Sequence, residues 1–194
     1  MTDTALHTTL DVSAHQPDEV YRILMSIIVP RPVAWVSTCS ADGVNNLAPY
    51  GWFGAVSGQP PIVHFTSRAP KDSWRNANET GSFVINIADA PLRQALMVTS
   101  QDVPAQVDES ELAGVTLIQS DEVSAPRVQE APISLECVTH STHPIGESIM
   151  TFGTVVRMHI RPDILGADGL VDAEALNPLA KLGGTGWSSV APLQ

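Results

Sequence analysis

Along residues 18–28, DEVYRILMSII, apolar side chains recur at Val20, Leu24, Ile27 and Ile28, the spacing of one helical face. Asp18 stands where an N-cap belongs and Pro30 cannot continue a helix, so the pattern predicts a short amphipathic helix between them. The period then changes. PVAWVST (32–38) is a dense β-forming run, ADGVNN supplies turn residues, and NLAPYGWFGAVS (46–57) reads as the returning strand of a hairpin that ends before Pro60-Pro61. IVHFTS (62–67) is a further strand, APKDSWRNANETG (69–81) a short helix with Gly81 just past its end, and FVINIAD (83–89) a strand again. PLRQALMVTSQ (91–101) reads as a helix opening on Pro91, where proline is tolerated. DVPAQVDESELA (102–113) is acidic and poor in large apolar residues, so an exposed loop or short helix is expected there. VTLIQS (115–120), PISLECVTHS (132–141) and SIMTFGTVVRMHI (148–160) complete the strands, the last long enough to bend at Gly153.

The resulting order, β-β-β-α-β-α-β-β-β, lacks alternating βαβ units, which disfavours a parallel doubly wound sheet. It predicts a mainly β fold, an antiparallel barrel with peripheral helices. A chain of 194 residues can bury a full core without staples, so we expect one domain over 1–194, with 1–17 as an N-terminal extension and 162–194 as a tail packing on the barrel or on a partner subunit. Hydrophobic residues at 43% against 16% charged exclude intrinsic disorder. Only two cysteines, Cys39 and Cys137, point to a reducing compartment; with no leader-like start and no apolar run near 18 residues, a cytoplasmic, non-membrane protein is expected.

Charge narrows the chemistry. The formal net charge is -11, which repels phosphate backbones and makes nucleic acid an unfavourable partner. Residues 1–100 hold eight acidic and six basic side chains, a net of -2, so the remaining -9 lies in residues 101–194. Against this background Arg68, Lys71 and Arg75 form the densest positive spot. They read either as a solvated helix start pairing with Glu79 or as an anion pocket. FTSRAPKDS sets Thr66 and Ser67 at a strand end, two cations just beyond, and Asp72 or Ser73 in a helix's first turn. Free N–H groups, hydroxyls and cations so placed bind phosphate. GxxxxGK[ST] and GxGxxG are both absent, so the ligand is neither a P-loop nucleotide nor a Rossmann dinucleotide.

In NNLAPYGWF, Pro49 lacks an N–H, and Tyr50, Trp52 and Phe53 fall within four residues. The segment reads as packing barrel strand or as a wall for a planar heterocycle, its interrupted ladder leaving backbone groups free. Other reactive-looking residues read blandly. Met150 and Met158 are expected in the core, His64 in the core or at an interface, and His140 with His143 make too poor a ligand set for a metal. Neither cysteine has a His/Asn arrangement, and GxSxG is absent, so no covalent or acid-base machine is visible.

RPVAWVST (31–38), NNLAPYGWF (45–53), PPIVHFTSRAPKDS (60–73), NANETGSFVINI (76–87) and LEC (135–137), continuing through TFGTVVRMHI (151–160) and PLAKLGGTGW (178–187), resemble the flavin reductase-like family of FMN-binding split barrels. The resemblance implies a six-stranded antiparallel Greek-key split β-barrel, a homodimer with FMN at the subunit boundary. It implies that Ser67, Arg68 and Lys71, beside Asp72, grip the FMN phosphate, that Ser37, Thr38, Asn46, Leu47, Ala48, Pro49 and Tyr50 lie along the flavin, and that Arg31 lies near it, a candidate for tuning flavin N1/O2. It implies hydride transfer from NADH or NADPH to the flavin and electrons passed on, in some members to a partner monooxygenase. An FMN electron carrier without nicotinamide turnover is the alternative; a pyridoxamine phosphate oxidase would need a second basic phosphate site, which Arg157 and Arg161 do not make, and a non-flavin binder of the same fold also stands open. The chain departs from the family pattern at Gly51 (often Ser), Ser73 (often Thr), Lys181 (often Arg) and Trp187 (often Tyr).

Overall fold

The computed structural model describes residues 6–189. The predicted N-terminal helix forms as α1 (Pro17–Ile27), but Gln16 is its N-cap and Pro17 its first residue, so Asp18 lies inside the first turn. There its carboxylate faces the positive end of the helix dipole. The expected apolar stripe does not become core: Met25 is buried, while Leu24, Ile27 and Ile28 are exposed.

Strands β1 (Arg31–Pro32), β2 (Ala34–Cys39), β3 (Asn45–Tyr50), β4 (Phe53–Gly58) and β5 (Pro61–Arg68) follow. The run expected as one strand over 46–57 divides at Gly51-Trp52, so the hairpin partner of β2 is β3 alone. After α2 (Asp72–Thr80), which Gly81 terminates at φ 73, come β6 (Ser82–Ile87), α3 (Arg93–Val98) and α4 (Glu109–Ala113). β7 (Leu117–Ile118), β8 (Arg127–Val128), β9 (Ile133–Ile145), β10 (Ser148–Ile160), α5 (Ala173–Leu176), β11 (Leu179–Lys181) and β12 (Trp187–Ser189) complete the order.

The main sheet is antiparallel and seven-stranded, in the order β3-β2-β6-β9-β10-β5-β4, rather than six-stranded, and its ladder does not close into a barrel. Division of the 46–57 run adds one strand to the sheet, while VTLIQS, expected as a further strand, contributes only β7, which pairs with β8 in a separate two-stranded sheet. The main sheet's two edges, β3 and β4, are consecutive in the chain, and the corner between them is held by the Thr66 N–H donating to the Trp52 carbonyl at 2.9 Å. β11 pairs with β1 and with β12, so the tail packs back on the segment that follows α1. Residues 1–5 of the expected extension and 190–194 of the tail lie outside the described residues. No helix among those described is long and apolar enough to cross a membrane.

β2 and β6 are buried on both faces, which is why they read as unbroken apolar runs. One side packs Ala34, Val36, Val63, Phe65, Phe83, Ile85 and Val155; the other packs Trp35, Leu47, Leu96, Val128 and Leu179. β10 shifts register at Phe152/Gly153, the bend expected there. Met158, expected in the core, is exposed, because beyond the second register shift at Val155/Arg157 its strand runs past the packed region.

Candidate functional site

The split between β3 and β4 creates the site. Pro49 has no N–H to extend the ladder, and the chain turns at Gly51-Trp52, leaving an open corner between β3, β5, the start of α2, the α3–α4 loop and the tail. Three adjoining hollows of about 230, 340 and 250 Å³ share Pro49 as a wall. The first is polar and carries Asn46, Arg68, Lys71 and Asp72. The second is largely apolar, between Val33, Met97 and Trp187, with Lys181 at its edge. The third lies between Tyr21, Arg31, Tyr50 and Arg68.

The cationic end is built by the β5–α2 turn. Ala69 adopts φ 61, an uncommon region for a residue with a Cβ. Its N–H donates to the Glu147 carbonyl at 2.9 Å and its carbonyl accepts from the Ser67 hydroxyl at 3.1 Å. This turn sets Arg68 and Lys71 side by side at the cleft, and no side chain caps the first turn of α2. Of the two readings open from sequence, the pairing with Glu79 does not form: Arg75 pairs with Asp72. Arg68 lies 4.2 Å over the Tyr21 ring and pairs with Glu147, while Lys71 pairs with Asp102 at 2.6 Å.

Of the residues singled out from sequence, Arg31, Asn46, Ala48, Pro49, Tyr50, Arg68, Lys71 and Asp72 come together around the cleft. Ser37, Thr38, Leu47 and Ser67 line none of the three hollows. Ser37 donates to the Pro126 carbonyl, Thr38 accepts from Asn76, and Leu47 belongs to the core. Ser67 is buried in the turn and acts on its backbone. Arg31 is 7% exposed and donates to the carbonyls of Met25 and Ile28 at 2.7 Å and Leu182 at 3.3 Å, tying the end of α1 to the tail. Its Nε is buried without a partner. A Cβ on Gly51 would meet that Nε at 3.5 Å, an ordinary contact.

The cleft is electrostatically mixed. Burial pushes the Tyr50 phenol up to about 12, with Asp72 and Glu109 adding to a shift that the Ser73 hydrogen bond opposes, so Tyr50 stays a neutral donor. Burial likewise raises the Glu109 carboxyl, against N–H bonds from Leu47 and its own backbone. Burial and the neighbouring Arg31 charge lower Lys181, whose ammonium lies 4.5 Å over the Trp187 ring. Sequence reasoning missed Ser100, Gln101, Asp102 and Glu109, which line the polar hollow. Asp108 followed by Glu111 is a capping signal for α4, where Asp108 does accept from the Ser110 N–H at 2.9 Å. Nothing local marks Glu109 as buried.

Away from the cleft, ligand atoms of Asp121, Glu136 and His159 lie within 4.8 Å of one another. Arg127 stands 3.6 Å from Glu136 and 3.8 Å from Asp121, putting a fixed cation beside them. Burial raises the Glu136 carboxyl, but the Asp121 and Glu122 N–H groups with His159 more than offset it, leaving it below the usual range. Its stabilising effect is therefore present above the ordinary carboxylate pKa and lost as pH falls through the lower folded value. Unfolding free energy measured in urea from pH 6 downward should fall less steeply for Glu136→Gln than for the parent; equal slopes would remove this assignment.

Comparison with known proteins completes the picture. Residues 25–179 match the flavin reductase like domain. A crystal structure of nitrilotriacetate monooxygenase component B from Bacillus cereus superposes with a TM-score of 0.94 at 32% identity, covering 97% of this chain and 98% of that one. The 2-nitrobenzoate 2-nitroreductase of Pseudomonas fluorescens superposes at 0.89 with 26% identity, over 96% and 95%. A Deinococcus radiodurans protein of uncharacterised function is 35% identical, covering 93% of this chain and 84% of its own length. An open antiparallel sheet with its cleft at the split, matched over most of its length by these relatives, places the chain in the flavin reductase-like family of split-barrel proteins.

Proposed function

We propose that the protein binds FMN in this cleft and is an NAD(P)H-dependent flavin reductase. The observation that carries the reading is the pairing of a cationic end with an apolar one. Arg68, Lys71 and the uncapped start of α2 suit a phosphate, while Pro49, Tyr50, Val33 and Trp187 offer a hollow for a planar ring. When bound, the flavin accepts hydride from the nicotinamide and passes electrons on, so the protein needs no acid-base pair of its own. Its residues hold and orient. Arg68 and Lys71 anchor the phosphate, Tyr50 donates from the wall, and Arg31 ties the end of α1 to the tail beside Gly51, leaving Nε and one Nη2 hydrogen unpaired.

Two wider features fit this reading. Leu24, Ile27, Ile28 and Val29 form an exposed apolar strip beside Tyr21 and Met25, which line the cleft, as expected if a second copy covers it in a homodimer. The Bacillus cereus relative is named as a monooxygenase component, and a partner oxygenase is the acceptor we assign.

The test is direct. The purified protein should bind FMN, and the Arg68→Ala, Lys71→Ala double variant should lose affinity about 100-fold, since charge-assisted phosphate contacts each contribute roughly tenfold. Its melting temperature should scarcely change, because both side chains are exposed. Unchanged FMN affinity would displace the site. Anaerobic mixing with NADH or NADPH should bleach the flavin absorbance; bound FMN that neither donor bleaches would leave the electron-carrier reading instead.

A further inference from the structure

Each cation at the phosphate end is already engaged by a carboxylate from a separate segment. Lys71 Nζ lies 2.6 Å from Asp102 Oδ1, on the loop between α3 and α4. Arg68 meets Glu147 through two nitrogens, at 3.1 and 3.4 Å, on the turn between β9 and β10. Neither carboxylate is there by chance of a long side chain: Glu147 is anchored by its backbone to Ala69, and Asp102 itself lines the polar hollow. Both are highly exposed, at 90% for Asp102 and 67% for Glu147, so these pairs are screened and easily exchanged. Arg68 also lies 3.9 Å from Asp18, without a hydrogen bond, and Asp72 lines the same hollow. A phosphate approaching Arg68 and Lys71 must take their hydrogen bonds from Asp102 and Glu147 and then remain beside both carboxylates.

We propose that Asp102 and Glu147 are internal competitors of the ligand's phosphate, which weaken FMN binding. This rests on the reading of the cleft as an FMN site. The physical consequence is specific: removing either carboxylate's charge frees a cation and removes a local repulsion, and it affects only ligands bearing phosphate. Riboflavin shares the ring and ribityl chain but has no phosphate, so it is the internal control.

The experiment is equilibrium titration of FMN and riboflavin, by quenching of flavin fluorescence, into the full-length protein and its variants. Asp102→Asn and Glu147→Gln should each tighten FMN about threefold to tenfold, and the double variant more, at low ionic strength. Riboflavin affinity should stay at the parent value, as should FMN affinity in Asp102→Glu and in the distant surface variant Asp168→Asn. FMN binding by the parent with no tightening in either neutralised variant overturns the competition. Equal tightening of riboflavin also overturns it, since the effect would then be on the ring pocket. A parent protein that binds neither flavin overturns the site reading, and this inference with it.

Discussion

Gly153→Ala should destabilise the protein by about 3 kcal/mol and lower its melting temperature by roughly 6–12 °C, one of the two largest effects the structure predicts. A Cβ at this position would lie 2.4 Å from Phe83 Cζ and 2.8 Å from Cys137 Cβ. Neither neighbour can retreat. The Cys137 Cβ is one bond from a β9 backbone paired on both sides, and Phe83 is fully buried, edge-on to Phe65 at 5.2 Å. Phe65 in turn packs against Tyr50 at 4.9 Å, so relief of the clash displaces a wall of the cleft. Flavin affinity should therefore fall along with stability. Adding Phe83→Leu, which removes the clashing ring edge, should recover part of the stability. Thermal and urea unfolding decide the matter, and a variant as stable as the parent would show that β10 has more room at its bend than this packing allows.

Asn86→Leu should cost about 4 kcal/mol through unmade hydrogen bonds rather than volume. Asn86 is fully buried in β6, and its side chain is used at both ends. Nδ2 donates to the Trp35 carbonyl and to Ser37 Oγ, both at 3.0 Å. Oδ1 accepts from the Val128 N–H at 3.0 Å and from the Ser134 hydroxyl at 2.8 Å. Leucine fills similar space but strands a buried N–H and a hydroxyl, each at roughly 1–3 kcal/mol, and removes the Val128 N–H bond that ties β8 to β6. Ser134→Ala removes one of the four bonds and should cost only about 1 kcal/mol. Urea denaturation of the two variants tests this gradation; equal losses would mean that Asn86 acts by packing alone. The same network holds Ser37, which the family resemblance places along the flavin. Its hydroxyl is held by Asn86 and the Pro126 carbonyl, so here it secures the strand that carries the site.

Sequence alone sufficed where the cause was local. The runs PVAWV and FVINI announced strands, Gly81 announced the end of α2, and Gly153 announced the bend in β10, because residue preferences and backbone freedom act within a few positions. The motif series carried the family, and the clustering of Arg68 and Lys71 on an acidic chain singled out two side chains that line the polar hollow. Long-range packing decided the rest. The helical stripe at Leu24, Ile27 and Ile28 is a true amphipathic pattern, yet periodicity cannot tell a face that meets the core from one left open. Whether Ser37 and Thr38 face a cleft or a buried partner depends on Asn86 and Asn76, tens of residues away. Asp102, Glu109 and Glu147 became part of the site only when three loops converged on one corner, since charge acts through space while sequence records only order along the chain.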